Sequence, residues 1–280
     1  MKVLELAGVK RSYERGIDVL NGVDLTLDRG EVVSLVGRNG AGKTTLIKVL
    51  MGLLRPQGGT VRVFDLDPWE EPIAVKRRIG YVSEEQTLPE YLPVSEVLGL
   101  HKELFPTWDA SLAGEFLDRF QLMPGARIGA LSKGQARQVM FLCAIAHRPE
   151  LLVLDEPAGG LDPVARRDFL EAAITRLNRD GTTILFSSHH MTDVERLAGR
   201  IVFIHEGRKI LDRDLDALRE GYSLAILPQE TPLEEARRLP GCVATRRRPD
   251  GVHVVLEGDR SGHALSLEDL FIELVEGQSC

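Results

Sequence analysis

One octapeptide limits the possible folds of this 280-residue chain more than any other stretch: Gly37-Arg38-Asn39-Gly40-Ala41-Gly42-Lys43-Thr44. It satisfies the pattern G-x-x-x-x-G-K-[ST], which has physical meaning only between a strand and a helix. Both neighbours are present. Val32 to Val36 reads as an apolar strand, and Lys43 to about Met51 reads as a helix. In that setting the glycines let successive backbone N–H groups turn inward as a nest for phosphate, and the helix start adds partial positive charge. Lys43 can reach β- and γ-phosphates, and the Thr44 hydroxyl can coordinate magnesium. Gly37, Asn39, Gly40, Ala41, Gly42, Lys43, Thr44 and Thr45 are the expected nucleotide-binding residues.

A second feature completes the chemistry. Leu151 to Leu154 is an unbroken apolar run that ends in Asp155-Glu156. Such runs belong to strands buried on both faces of a parallel sheet, and ligands bind at the carboxyl ends of those strands. Asp155 is therefore expected to hold magnesium, and Glu156 to accept a proton from the attacking water. Phosphoryl transfer needs mainly positioning and charge neutralisation, so metal, lysine and base form a sufficient set.

Strand and helix signals alternate along most of the chain, which predicts an α/β domain on a mostly parallel sheet. The N-terminal strands are Lys2 to Leu6 and Val23 to Leu27, and later ones are Ile79 to Val82, Thr182 to Ser187 and Arg200 to His205. Residues 93–146 carry helical spacing (Val94, Val97, Leu98, His101; Leu112, Phe116, Leu117, Phe120) and read as an inserted helical subdomain. Asp162 and Pro163 start a further helix that Gly181 closes. Residues 1–220 form one expected unit. Residues 221–280 form a small α+β appendage, with strands at Ser223 to Leu227, Val243 to Arg247 and Val252 to Glu257 before a last helix.

Composition removes other classes. A net charge of -7 argues against a nucleic-acid binder, and the one basic run, Arg246-Arg247-Arg248, reads as a solvated turn. Three scattered cysteines suggest no disulfide framework and a reducing cytosol, with Cys143 a small core residue. No apolar run approaches the roughly 20 residues a membrane helix requires, and the start lacks a signal-peptide core, so any membrane part is expected on another chain.

Leu131-Ser132-Lys133-Gly134-Gln135 resembles the LSGGQ signature of ATP-binding cassette (ABC) ATPases, with Lys133 in place of the first glycine. Other elements of that family follow in order over roughly residues 2 to 220. Tyr13 stands where an aromatic residue stacks on adenine, Ala158 to Asp162 resembles the D-loop, and Ser187-Ser188-His189 resembles the switch-histidine segment. Locally, Ser132 and Gln135 form a capping box, whose helix end is also an anion site. The resemblance implies an α/β P-loop NTPase with a mostly parallel sheet. It also implies an N-terminal antiparallel β subdomain, an inserted helical signature subdomain and the small C-terminal α+β appendage.

The resemblance further implies ATP and Mg²⁺ as cofactors. Glu156, His189 and Lys43 would be catalytic, and Thr44, Asp155 and Glu84 would be at the metal. Ser132, Gly134 and Gln135 would meet the γ-phosphate held by a second protomer in a head-to-tail dimer. Glu84 stands where the family usually has glutamine, with Glu85 and Gln86 as register alternatives. The implied partners are a homodimer mate or paired cassette and an integral-membrane permease subunit, with no nucleic acid, at the cytoplasmic face of the membrane. Glu84, Lys133 and the Phe105-Pro106-Thr107-Trp108-Asp109 stretch resemble exporter-type cassettes. Two rival readings are an ABC ATPase of DNA repair or translation, and a nucleotide-binding regulator without turnover.

Overall fold

The computed structural model describes residues 1–13, 16–84, 88–157, 159, 163–258 and 262–279. The chain opens with two long antiparallel strands, β1 (Lys2–Tyr13) and β2 (Ile17–Asp28), which run well past their apolar cores. Then come β3 (Val32–Val36), the glycine loop, α1 (Lys43–Leu50) and β4 (Gly58–Val63), which pairs with β1. After α2 (Pro72–Lys76) and β5 (Ile79–Val82), three helices make the inserted block: α3 (Val94–Leu104), α4 (Ala110–Arg119) and α5 (Lys133–Ile145). The chain then returns to the sheet through β6 (Leu151–Leu154), α6 (Pro163–Arg179), β7 (Thr183–Ser188), α7 (Met191–Leu197), β8 (Arg200–His205) and β9 (Arg208–Asp214).

Among the described residues the central sheet has the order β5-β6-β7-β3-β8-β9, parallel except for β9. Its strands are apolar on both faces, and their residues alternate between two cores, as the period of two requires. Leu151, Val153, Leu185 and Val202 face the N-terminal sheet (β2-β1-β4) and α1. Leu152, Leu154, Phe186 and Phe203 face the helices of the other layer. There Phe116, Phe120, Phe141 and Phe169 pack ring against ring and join α4, α5 and α6.

After α8 (Leu215–Gly221) comes a second antiparallel sheet with α9 (Leu233–Ala236) and α10 (Leu267–Glu276). Its strands are β10 (Tyr222–Leu227), β11 (Cys242–Arg248), β12 (Gly251–Glu257), β13 (His263–Ala264) and β14 (Gln278–Ser279), in the order β13-β10-β12-β11-β14. Val252, Val254 and Leu256 pack with Ala236 of α9, and Leu267, Leu270 and Phe271 of α10 enter the large core shared with the central sheet. Two sequence expectations fail in this region. Arg246 to Arg248 lie in strand β11, not in a solvated turn, because acidic residues of α10 neutralise two of them: Arg246 pairs with Glu276 at 2.5 Å and Arg248 with Glu273 at 2.8 Å. Cys242 is disulfide-bonded, where scattered spacing had suggested no bridge; spacing along a chain does not reveal which thiols meet in the fold. Cys143 is free and buried as expected, and burial pushes its thiol up to about 12.

Candidate nucleotide site

Four parallel strands end in a row. Val82 lies in register with Leu154, Leu154 with Phe186, and Val36 with Ser188. The residues that follow these ends are Ser83-Glu84, Asp155-Glu156, the glycine loop and His189. Sheet register thus brings together groups separated by more than a hundred positions in sequence.

The loop conformation depends on its glycines. Gly42 has φ 106° and serves as the N-cap of α1 without any side-chain cap, so the helix start keeps free donors. A Cβ on Gly37 would sit 2.4 Å from the Ile204 carbonyl oxygen. Ala41, Lys43 and Thr45 are buried, Thr44 is half-buried, and Asn39 and Gly40 are exposed at the rim. Lys43 Nζ donates to the Gly37 carbonyl at 2.7 Å and lies 3.8 Å from Glu156 Oε1. Burial lowers its pKa, and the carboxylates of Glu156, Asp155 and Glu84 oppose that shift.

Asp155 has no solvent exposure. Its Oδ1 accepts from Ser187 Oγ at 2.7 Å, and Ser187 Oγ accepts in turn from the Glu156 N–H at 2.8 Å. Its Oδ2 is buried without any hydrogen-bond partner. Glu156 adopts the left-handed φ of 47°, a conformation that costs a non-glycine residue energy and recurs at functional sites. Its Oε2 meets His189 Nδ1 at 2.9 Å. Thr44, Asp155 and Glu84 line one cavity of about 290 Å³, together with Lys48, Leu53, Tyr81 and Ser83. Burial, with Asp155 nearby, pushes the Tyr81 phenol up to about 12. No group of three His, Cys, Asp or Glu side chains among the described residues could chelate a metal unaided. Magnesium does not require one, since it takes a few protein oxygens and fills its shell with phosphate and water. The unpartnered Asp155 Oδ2, in a residue that lines the same cavity as Thr44 and Glu84, fits such an ion.

The structure thus gathers Lys43, Thr44, Asp155, Glu156, Glu84 and His189. It does not bring Ser132 and Gln135 to them. These two form the expected capping box at the start of α5, Ser132 N–H to Gln135 Oε1 at 3.0 Å and Gln135 N–H to Ser132 Oγ at 3.1 Å, with Gly134 in the same turn. Tyr13 is 45% exposed, and its hydroxyl is 3.4 Å from Thr45 Oγ1, beside the P-loop helix. Asp162, with most of the D-loop, and Glu85 and Gln86 lie outside the described residues. Two residues were not foreseen as site residues. Ser187, named above only within a motif, links the Asp155 carboxylate to the Glu156 N–H, and Arg137 of α5 donates to the Glu156 and Glu84 carbonyl oxygens. The first half of α5 is mostly polar (Lys133, Gln135, Gln138), so no local pattern singled out Arg137.

The family model described as ABC transporter matches residues 20–159. The ABC transporter ATP-binding protein YtrB of Bacillus subtilis (strain 168) is 30% identical over 242 residues, 82% of each chain. The chain belongs to the ABC transporter family. It is an ATP-binding subunit of such a transporter and an ATPase acting on Mg-ATP. The daunorubicin/doxorubicin resistance ATP-binding protein DrrA of Streptomyces peucetius is 33% identical over 231 residues, covering 81% of this chain and 69% of DrrA. A solved ATP-binding subunit of an ABC transporter superposes with a TM-score of 0.71 at 32% identity, over 78% of this chain and 92% of that one. The dimeric post-hydrolysis state of the cassette MJ0796, bound to ADP and Pi, gives 0.68 at 25% identity, over 76% and 98%. These likenesses confirm the P-loop NTPase fold and set aside the repair, translation and non-hydrolysing readings.

Proposed function

We propose that this subunit forms a head-to-tail dimer around two ATP molecules and drives a separate integral-membrane permease from the cytoplasmic face, exporting its cargo. In this reading the P-loop of one protomer holds the triphosphate, while Ser132, Gly134 and Gln135 of the other close over the γ-phosphate. Tyr13 lies against the adenine. Residues 1–220 carry the nucleotide chemistry, and residues 221–280 form an accessory unit.

The observation that carries this reading is the position of Glu156, one oxygen on His189 and the other 3.8 Å from Lys43, beside the unpartnered Asp155. Thr44 and Asp155 would hold magnesium with Glu84 beside them, and the ion would supply neutralisation of phosphate charge. Lys43 exchanges its carbonyl acceptors for phosphate oxygens. Glu156 orients the attacking water and takes its proton, while His189 fixes the carboxylate and senses the terminal phosphate. Dimerisation is supported by the paired state of MJ0796. Export is supported by the drug-resistance name of DrrA and by the Nod factor export ATP-binding protein I of Burkholderia lata, 36% identical over 207 residues. No helix among the described residues is long and apolar enough to cross a membrane.

The test is Glu156→Gln. It is expected to bind ATP, to lower kcat by about 10²-fold or more, and to accumulate an ATP-bound dimer on size exclusion. Turnover at the wild-type rate, or a monomer in saturating ATP, would remove this mechanism.

A further inference from the structure

Arg137 sits one turn inside α5 and is only 8% exposed. Both arms of its guanidinium end on main-chain oxygens of the site: Nη1 donates to the Glu156 carbonyl and Nη2 to the Glu84 carbonyl, each at 2.6 Å. The Glu156 carbonyl also accepts from the Gly159 N–H at 3.1 Å, so the same oxygen closes the turn that leaves the strand. Gly159 leaves room for the fork, since a Cβ there would lie 3.2 Å from Arg137 Nη1. Glu156 occupies its strained left-handed φ immediately before that carbonyl.

Arginine suits this position. Its planar fork presents two fixed donors, remains charged when buried and makes bonds stronger than those between neutral groups. Burial disfavours the charge, and the nearby carboxylates of Glu84, Glu156 and Asp155 offset part of that cost. One side chain therefore ties α5 to both loops that carry predicted site carboxylates. The far end of the same turn is the Ser132–Gln135 capping box.

We propose that Arg137 is a positioning residue: it transmits the seating of the α5 start on a second protomer's nucleotide to the backbone that aims Glu156 and Glu84 in its own protomer. The inference rests on the dimer reading above. Closure of one site then sets the geometry of the other without Arg137 touching nucleotide, and displacement of a reacting group by about 1 Å costs up to about a hundredfold in rate.

The experiment compares Arg137→Met, Arg137→Lys and Glu156→Gln by kcat, KM for ATP, ATP affinity, dimer formation and thermal unfolding. Arg137→Met is expected to lower kcat about a hundredfold and Arg137→Lys about tenfold. In both, ATP affinity stays within about threefold and an ATP-bound dimer accumulates, as in Glu156→Gln. Arg137→Lys keeps the buried cation and so separates aiming from folding. Wild-type kcat in both variants would overturn the inference. So would a fall in kcat matched by equal loss of ATP binding or of folded protein, which would assign Arg137 to structure alone. Full turnover in Glu156→Gln would instead sink the site reading itself, whatever the Arg137 variants do.

Discussion

Ser187 lets two adjacent carboxyl groups serve different ends. Its hydroxyl donates to fully buried Asp155 and accepts from the Glu156 N–H, which fixes one side chain and one peptide together. Asp155 keeps an unpartnered oxygen, the one proposed to hold metal, while Glu156 turns through its left-handed φ toward Lys43 and His189. A second buried group gives a pH prediction. His147 is 2% exposed, stacks on Phe105 at 4.0 Å and donates Nε2–H to the Ile79 carbonyl at 3.1 Å. Burial lowers its pKa below the ordinary 6.5, so in acid the folded chain protonates it less readily than the unfolded chain does. Stability therefore falls as pH drops below 6.5, because the unfolded chain binds more protons there. His147→Gln keeps a donor to Ile79 but cannot titrate. Its unfolding free energy should decline less steeply, by up to about 1.4 kcal/mol per pH unit, in urea titrations between pH 5 and 6.5. Identical slopes would exclude His147 as the cause. Neither Ser187 nor His147 could be assigned its partner from sequence, since those partners lie on other strands.

At the scale of elements, α5 performs two tasks with one residue. Ser132 caps the helix, which is readable from the S-x-x-Q spacing alone, and in the proposed dimer it also meets a phosphate. The two tasks separate by substitution. Ser132→Ala should cost about 1 kcal/mol of stability through the lost cap and should also slow ATP hydrolysis. Ser132→Asp restores the cap, because aspartate serves equally well at that position, but it sets a negative charge against the γ-phosphate. Recovery of melting temperature without recovery of turnover is the expected pair; recovery of both would confine Ser132 to capping. Strand β11 shows the converse case. Arg246 and Arg248 share one side of the strand and reach Glu276 and Glu273, while Arg247 points elsewhere and donates to the Thr231 carbonyl at 2.8 Å. A charged run says little about secondary structure until the acidic helix beside it is known.

Across the whole molecule, the second sheet is joined to the first by a shared core. Leu267, Leu270 and Phe271 of α10 pack into the cluster that holds Leu154, Phe186 and Phe203, and the Phe203 and Phe271 rings meet edge to face at 5.0 Å. Glu276 at the end of α10 also reaches Arg38 of the glycine loop at 3.3 Å. That pair is exposed and contributes at most about 1 kcal/mol; burial is the stronger link. Covering three large apolar side chains is worth about 5–9 kcal/mol, comparable with the whole stability of a typical domain. A chain ending at residue 220 should therefore aggregate or lose its cooperative thermal transition in calorimetry. A soluble fragment melting at the full-length temperature would show that α10 is only peripheral.

Local pattern alone pointed to a phosphate loop and an acidic strand end and named the α5 cap that the structure shows. Each is set by residues within a few positions of one another, where backbone geometry follows from covalent neighbours. The alternating cores were likewise readable as apolar runs. Only the tertiary structure placed Glu84 and Thr44 in one cavity, gave Ser187 and Arg137 their partners, bonded Cys242 and sank α10 into the main core. Those outcomes depend on strand register and on helices packing across long sequence separations, and no local pattern records which distant surfaces will meet.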